Sequence, residues 1–148
     1  DMNLRDGHYS KELVKELLKV SSILKLNKEE TQICCKLFNK KPMELMEFCE
    51  WVVDEFKLEG VCITMGSDGC AICLDGEYIE SPGYEVEITD TVGAGDAFAA
   101  GLLHGLIEKW EIRKTCKFAN RLGAIAVSGN GALANLKDKK LNNLFSNY

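Results

Sequence analysis

The segment DTVGAGD at residues 90–96 carries the residue types best suited to chemistry. Gly93 and Gly95 permit positive φ and let the backbone approach a ligand closely. The apolar helical pattern that follows places this loop at a helix N-terminus, where free N–H groups and the helix dipole favour an anion. Asp96 falls in the first helical turn. The amides could therefore stabilise charge on a transferring phosphoryl group while the carboxylate accepts a hydroxyl proton.

The same loop admits a purely structural interpretation. In that case Asp96 only complements the helix dipole and the glycines only make a turn, and spacing alone leaves both interpretations open. Two other phosphate-binding patterns are excluded. Phe98 stands where a dinucleotide fingerprint needs its third Gly or Ala, and no G-K-[ST] follows as a P-loop requires.

Residue patterns predict the elements that must position this loop. Ser10 and Asn27 are expected to cap the first two helices, and Pro42 is expected in the first turn of a third. Asp75-Gly76 predicts a two-residue hairpin. Strands are expected at 1–5 (DMNLR), 22–26, 61–65, 70–74, 77–81 and 84–88 (YEVEI). Helices are expected at 97–110 and 112–127. A loop is expected at 128–133, followed by a peripheral tail at 136–148. This order predicts a layered α/β fold with a mixed sheet.

Composition limits the class of protein. The 148 residues suit one domain (1–148), and no apolar run is long enough for a membrane span. A net charge of -5 argues against nucleic acid or an anionic membrane as partner. Seven cysteines favour reduced thiols in a cytoplasmic protein. Cys70 and Cys73 form a C-x-x-C, but on a strand they face opposite sides, so we expect buried small side chains rather than a redox or zinc pair.

The segment DTVGAGDAFAAGL closely resembles the C-terminal signature of the ribokinase-like (PfkB) carbohydrate kinases. Four more segments resemble family motifs, in family order across nearly all of the chain: DMNLR, LKLNKEE, VCITMGSDGC and FANRLGAIAVSGNGAL. The resemblance implies a ribokinase-like three-layer α/β/α domain, C-terminal portion only, without the N-terminal strands and lid. It also implies a kinase that uses ATP and Mg²⁺.

The resemblance assigns roles residue by residue. Asp96 becomes the general base, and the amides of residues 93–96 form the anion hole: Gly93, Ala94, Gly95 and Asp96. The residues implied to line the nucleotide site are Asn27, Thr64, Gly66, Ser67, Gly69 and Asn120. Asn27 and Glu30 would organise Mg²⁺ through water. Asp90, with backbone near Val92, Ala126 and Gly131, would hold a monovalent cation such as K⁺.

Most of these roles have a structural alternative. Asn27 and Glu30 also fit a helix cap with its capping box, Thr64 could be a plain strand residue, and Asn120 could be solvated. Gly66 and Gly69 could be simple turn glycines. Arg5 would reach the substrate in related kinases, but a surface arginine fits the sequence equally well.

The resemblance to fructokinase-type members indicates fructose or ribose as the sugar and leaves 2-keto-3-deoxygluconate and nucleosides open. Family members are about twice as long, so we expect a missing N-terminal half and, in its absence, a long exposed apolar sheet edge. Such an edge predicts a homodimer, a complementing N-terminal chain or poor solubility. Without the N-terminal half, the chain is expected to bind nucleotide weakly and to turn over little sugar. The alternative is a non-catalytic nucleotide-binding or interaction module that retains the kinase fold.

Overall fold

A computed structural model describes residues 1–5 and 7–128 of the chain. In chain order, its helices and strands are α1 (Lys11–Lys19), β1 (Ile23–Asn27), α2 (Lys28–Leu37), α3 (Leu45–Phe56), β2 (Gly60–Thr64), β3 (Cys70–Leu74), β4 (Glu77–Ser81), α4 (Ala94–Ile107) and α5 (Ile112–Val127). A 3₁₀ turn at Gly66–Asp68 lies between β2 and β3. The polar tail and all but the first residue of the loop predicted at 128–133 lie outside the described residues.

Internal contacts divide the chain into two compact units, described separately below. The sheet unit comprises Asp1–Gly66 and Cys70–Glu80. The helix-pair unit comprises Ser67–Gly69 and the described residues from Ser81 onward.

The sheet has four strands in the order β1-β2-β3-β4. β1 and β2 are parallel, and β2 and β3 are antiparallel. β2 is apolar and buried along most of its length, as a strand covered on both faces should be. The turn between β3 and β4 has positive φ at Asp75 (51°) and Gly76 (81°), as the predicted two-residue hairpin requires. The mixed sheet predicted from sequence is confirmed.

Three helices complete the sheet unit. Ser10 caps α1 by accepting a hydrogen bond from the amide of Leu13 at 3.2 Å, as predicted. α2 packs against β1 and β2, and α3 packs against β2 and β3. Their apolar faces meet the sheet in one core, whose largest fully buried members include Leu26, Phe48, Val52, Val61 and Ile63.

Two predictions in the sheet unit are wrong. Residues 1–5 form no strand, because Asn3 has a left-handed φ of 43° that interrupts the extended backbone. Met2 still donates one backbone hydrogen bond to Lys25 at 2.9 Å. Helix α3 begins at Leu45, so Pro42 lies in the connection before it rather than in its first turn. Pro42 is exposed, and a turn there would have little apolar surface to bury.

The strand predicted at residues 84–88 is also absent. Its alternating residues suggested one buried face, but Tyr84, Val86 and Ile88 are 40%, 39% and 60% exposed. Both sides of the segment face solvent, so the pattern does not correspond to burial. The two residues after this segment bond to α5 instead: the amides of Thr89 and Asp90 donate to the carbonyl of Val127 at 2.8 and 3.3 Å.

The structure bears on two of the expectations from composition. None of the described helices combines the length and apolar character needed to cross a membrane. All seven cysteines are buried and none of them forms a disulfide, including Cys70 and Cys73. Within the described residues, no group of three or more His, Cys, Asp or Glu side chains is placed to hold a metal ion.

Candidate active site

The glycine loop ends at the start of α4. Gly93 is the N-cap residue with φ 84° and ψ -5°, a left-handed conformation that glycine adopts without strain. Asp96 lies in the first turn of the helix and is exposed to solvent. No side chain caps this end of α4. The helix therefore presents an open N-terminus with a carboxylate beside it.

The backbone amides at this end differ in their partners. Ala94 donates to the carbonyl of Thr91 at 3.3 Å, and Ala97 makes the first helical bond to Gly93 at 2.9 Å. Among the described residues, the amides of Gly93, Gly95 and Asp96 have no protein acceptor. Three of the four amides predicted for an anion hole thus remain available to a ligand, whereas Ala94 is partly engaged.

Asp90 shapes the loop that leads into the helix. Its carboxylate accepts a hydrogen bond from the amide of Val92 at 3.0 Å, which is a local turn. Its own amide donates to Val127, so the loop is brought to the C-terminal end of α5, close in sequence to Ala126. Gly131, the other residue predicted around a monovalent cation, lies outside the described residues.

α4 is held by close packing against α5. A Cβ atom added at Gly101 would lie 2.9 Å from the Cα atom of Ala119, and one at Gly105 would lie 2.6 Å from the Thr115 side chain. These two glycines, one turn apart, let the helix axes approach closely. The helix that carries Asp96 is therefore fixed by its packing on α5.

In the sheet unit, Asn27 and Thr64 meet at the carboxyl ends of two parallel strands. They are register partners in β1 and β2. Ligands of open α/β sheets commonly bind beyond this edge. The Thr64 hydroxyl makes only a long contact to the carbonyl of Leu26, at 3.5 Å. Gly66, two residues further on, has φ 61° and open space where a side chain would be.

Glu30 makes the capping box that the sequence left open as an alternative. Asn27 Oδ1 accepts from the amide of Glu30 at 2.8 Å, and Glu30 Oε2 accepts from the amide of Asn27 at 2.8 Å. The second carboxylate oxygen accepts from the amide of Leu4, also at 2.8 Å. Glu30 is only 6% exposed, so it joins residues 1–5 to the β1–α2 junction.

Arg5 belongs to the sheet unit and is exposed. It lines a cavity of about 210 Å³ whose other lining residues come from residues 1–4, His8, Tyr9 and the segment from α1 to the start of β1. None of the other predicted site residues lines this cavity.

A contact that sequence analysis missed lies in the helix-pair unit, between the turn Ser67–Gly69 and the segment Ser81–Gly83. A Cβ atom at Gly83 would lie 2.2 Å from the carbonyl oxygen of Ser67. One at Gly69, where φ is 102°, would lie 2.1 Å from the carbonyl oxygen of Ser81. Both positions therefore require glycine. The sequence placed Pro82 and Gly83 between two predicted strands, but nothing in it indicated what Gly83 touches.

Asn120 lies at the same place. Its side chain Nδ2 donates to the carbonyls of Ser81 and Pro82, both at 3.1 Å, and lies 3.3 Å from the Ser81 hydroxyl. Asn120 and Ser81 are 7% and 5% exposed. The solvated position that the sequence left open for Asn120 is thus ruled out.

The clearest pKa shifts belong to the core of the sheet unit. Burial raises the pKa of the Cys34 and Cys49 thiols to about 12. Burial also raises the pKa of Tyr78, and the phenol donates a hydrogen bond to Glu80 at 2.6 Å. Desolvation is the first cause for all three groups, so these shifts report packing and carry no indication of catalysis.

Solved structures of other kinases share this fold. Ribokinase from Thermotoga maritima superposes with a TM-score of 0.76 at 21% identity, over 89% of this chain and 44% of its own. Aminoimidazole riboside kinase from Salmonella enterica, solved with aminoimidazole riboside and an ATP analogue, superposes with a TM-score of 0.76 at 27% identity, over 96% of this chain and 50% of its own. The chain has the ribokinase-like α/β fold, with a mixed sheet and helices.

The family follows from sequence. Residues 1–139 match the model of the pfkB family carbohydrate kinases. The fructokinase of Escherichia coli is 31% identical over 147 residues, which are 92% of this chain and 46% of the fructokinase. The chain belongs to the pfkB family of carbohydrate kinases, as the sequence motifs predicted. It spans less than half the length of that fructokinase.

Proposed function

We propose that the chain is the ATP-binding, catalytic part of a kinase that transfers a phosphoryl group from ATP to a sugar hydroxyl. The observation that carries the proposal is the open N-terminus of α4, where unpaired amides lie beside the exposed carboxylate of Asp96. Family membership supports the same conclusion. Under this proposal residues 1–148 act as one catalytic domain.

The proposed chemistry uses two groups at the helix end. The amides of Gly93, Gly95 and Asp96 bind the terminal phosphate and stabilise the charge that spreads over its oxygens during transfer. Ala94 completes the anion hole if its weak bond to Thr91 opens. The Asp96 carboxylate accepts the proton of the attacking hydroxyl, which makes that oxygen a better nucleophile.

The residues proposed for the nucleotide site are Thr64, Gly66, Ser67, Gly69 and Asn120. Thr64 is the last residue of β2, and Gly66 and Ser67 lie in the 3₁₀ turn that follows it. Because Gly66 has no side chain and the space beside it is open, the phosphates or ribose of the nucleotide could approach the backbone directly.

Two cations are part of the proposal. Asn27 and Glu30 offer the oxygen donors that Mg²⁺ prefers, and because their amide and carboxylate oxygens already accept backbone hydrogen bonds, they would hold the ion through water. Mg²⁺ would supply charge neutralisation on the phosphates. Asp90, with the backbone around Val92, is the proposed site of a monovalent cation such as K⁺.

Fructose or ribose is the proposed acceptor, with Arg5 as a contact to the substrate. The similarity to a fructokinase and to an aminoimidazole riboside kinase supports this choice. Association as a homodimer or with a complementing N-terminal half belongs to the same proposal. Thiols outside disulfides and the proposed use of ATP support a cytoplasmic location.

The test is Asp96→Asn in the full-length protein that carries this chain. The change preserves shape and removes the proton acceptor, so kcat should fall by about 10²- to 10⁴-fold with little change in ATP affinity. ADP release with fructose and with ribose measures turnover, and calorimetry measures ATP binding. Asp54→Asn, on the exposed face of α3, is the matched control and should leave both unchanged. Unchanged turnover in Asp96→Asn would eliminate the assigned base, and ATP binding without any sugar turnover in the wild type would favour a non-catalytic module.

A further inference from the structure

The turn Ser67–Gly69 is in close backbone contact with the segment Ser81–Gly83. The carbonyl oxygens of Ser67 and Ser81 lie where side chains would begin at Gly83 and Gly69. Two backbone segments therefore pack directly on one another, with glycine on each side. A shift of a few tenths of an ångström in the segment 81–83 must displace the turn.

The segment 81–83 is in turn held by one side chain. Asn120 projects from α5, and its amide group has two hydrogens that point at the Ser81 and Pro82 carbonyls. The two residues bonded to it lie 39 and 38 positions earlier in the chain, so the bonds are tertiary contacts rather than local turns. Since Asn120 is buried, its loss would remove the hydrogen bond that it donates to each of the two carbonyls.

A donor group suits this position. Three oxygens lie within 3.3 Å of Nδ2, and its two hydrogens point at the two nearer ones, the carbonyls of Ser81 and Pro82. An acceptor there would meet lone pairs on every side. Both hydrogens are committed to the carbonyls, so the Nδ2 amide has none left to donate to a nucleotide.

We propose that Asn120 is a positioning residue of the nucleotide site, acting through the segment 81–83 on the turn that carries Ser67 and Gly69. It holds that turn in place and does not select the base. This inference rests on the proposed function, because it takes Ser67 and Gly69 as part of the nucleotide site.

The proposal predicts a loss of affinity that is independent of the base. If Asn120 acts on the turn, then Asn120→Ala lowers the affinity for Mg-ATP, Mg-GTP and Mg-tripolyphosphate by the same factor. We expect about a tenfold loss, the equivalent of one buried hydrogen bond. If Asn120 contacts the base instead, the ratio of ATP to GTP affinity changes and tripolyphosphate binding does not.

A second variant reaches the same contact from the other side. Gly83→Ala leaves the Asn120 side chain in place and puts a methyl group against the Ser67 carbonyl, so it should weaken binding of the three ligands by a similar factor. The double variant should lose less than the sum of the two single losses, because both act on one contact. Lys117→Ala, exposed on the same helix, is the control and should bind all three ligands normally.

Hydrogen exchange gives a readout that does not need nucleotide. In Asn120→Ala and Gly83→Ala, the amides of residues 67–69 should exchange about tenfold faster, while those of α1 keep their wild-type rates. Should Asn120→Ala fail to fold, Ser81→Ala removes only the hydroxyl contact and should raise exchange at the same turn more weakly.

The outcomes separate the two proposals. A wild-type protein that binds none of the ligands overturns the proposed function, whereas exchange at 67–69 still tests the contact. A protein that binds nucleotide, but whose Asn120→Ala variant changes the ATP to GTP ratio, overturns the inference. Unchanged exchange at residues 67–69 in both variants also overturns it.

Discussion

The same substitution at two glycines of the helix pair should have opposite effects on stability. Gly101 in α4 and Gly123 in α5 are both inside helices, where Ala is favoured over Gly by about 0.8–1.0 kcal/mol. They differ in what a new methyl group meets. At Gly101 it would lie 2.9 Å from the Cα atom of Ala119, whereas at Gly123 its nearest neighbour is the Ala94 carbonyl oxygen at 3.5 Å.

The magnitude follows from these distances. At Gly123 the contact is ordinary, so Gly123→Ala should raise the free energy of unfolding by about 0.5–1 kcal/mol. At Gly101 the methyl overlaps main-chain atoms of the facing helix, and such overpacking costs about 1–3 kcal/mol. Gly101→Ala should therefore lower the free energy of unfolding by up to about 2 kcal/mol after the gain in helix propensity.

Urea unfolding followed by circular dichroism measures both variants. The propensity gain is common to the two, so the difference between their free energies of unfolding isolates the overlap at Gly101, about 1–3 kcal/mol. An unchanged urea m-value would show that the denatured state is the same. If both variants shift stability by the same amount in the same direction, the close approach of α4 and α5 is refuted.

Two more predictions concern the sheet unit. Glu30→Gln puts an NH₂ group where an oxygen accepts from a backbone amide, so urea unfolding should show a free energy of unfolding lower by about 1–3 kcal/mol. The control Glu29→Gln, at an exposed position, should change that free energy little. Equal effects of the two variants would contradict the buried contacts of Glu30. Burial raises the thiol pKa of Cys34 and Cys49 from 9.0 to about 12, so each thiol stays protonated in the folded state where it ionises in the unfolded one. Stability should be level below about pH 9 and fall above it, by up to about 1.4 kcal/mol per pH unit for each thiol. Cys49→Ala should make that fall shallower, and an unchanged slope would refute the assignment.

Local sequence signals predicted those parts of the molecule that neighbouring residues determine. Ser10 caps α1 because its hydroxyl accepts a hydrogen bond from an amide three residues away, and Asp75-Gly76 forms the hairpin because both residues tolerate positive φ. Gly93 adopts the left-handed conformation that the loop before α4 requires. In each case the interacting atoms lie within a few residues of one another, so the local sequence is enough to predict the conformation.

Contacts between distant residues were not predictable in this way. Glu30 meets Leu4 across 26 positions, and Asn120 meets Ser81 across 39. The sequence suggested the capping box of Glu30 and a side-chain role for Asn120, but it did not indicate the Leu4 amide or the carbonyls that Asn120 binds. The strand predicted at 84–88 failed for a related reason: alternation indicates a strand only where a neighbouring strand supplies hydrogen bonds and one face is buried.

Two roles were considered for Glu30 from the sequence, a capping box and the organisation of Mg²⁺ through water, and these two roles are compatible. An ionised carboxylate has about four lone-pair sites, and the amides of Leu4 and Asn27 occupy two of them. Mg²⁺ keeps several of its waters in protein sites, so it needs few direct contacts. The cap would then fix the carboxylate, and the remaining lone pairs would accept hydrogen bonds from water on the ion. Loss of Glu30 would therefore disturb both roles at once, and only ATP affinity measured at several Mg²⁺ concentrations, beside a stability measurement, can distinguish them.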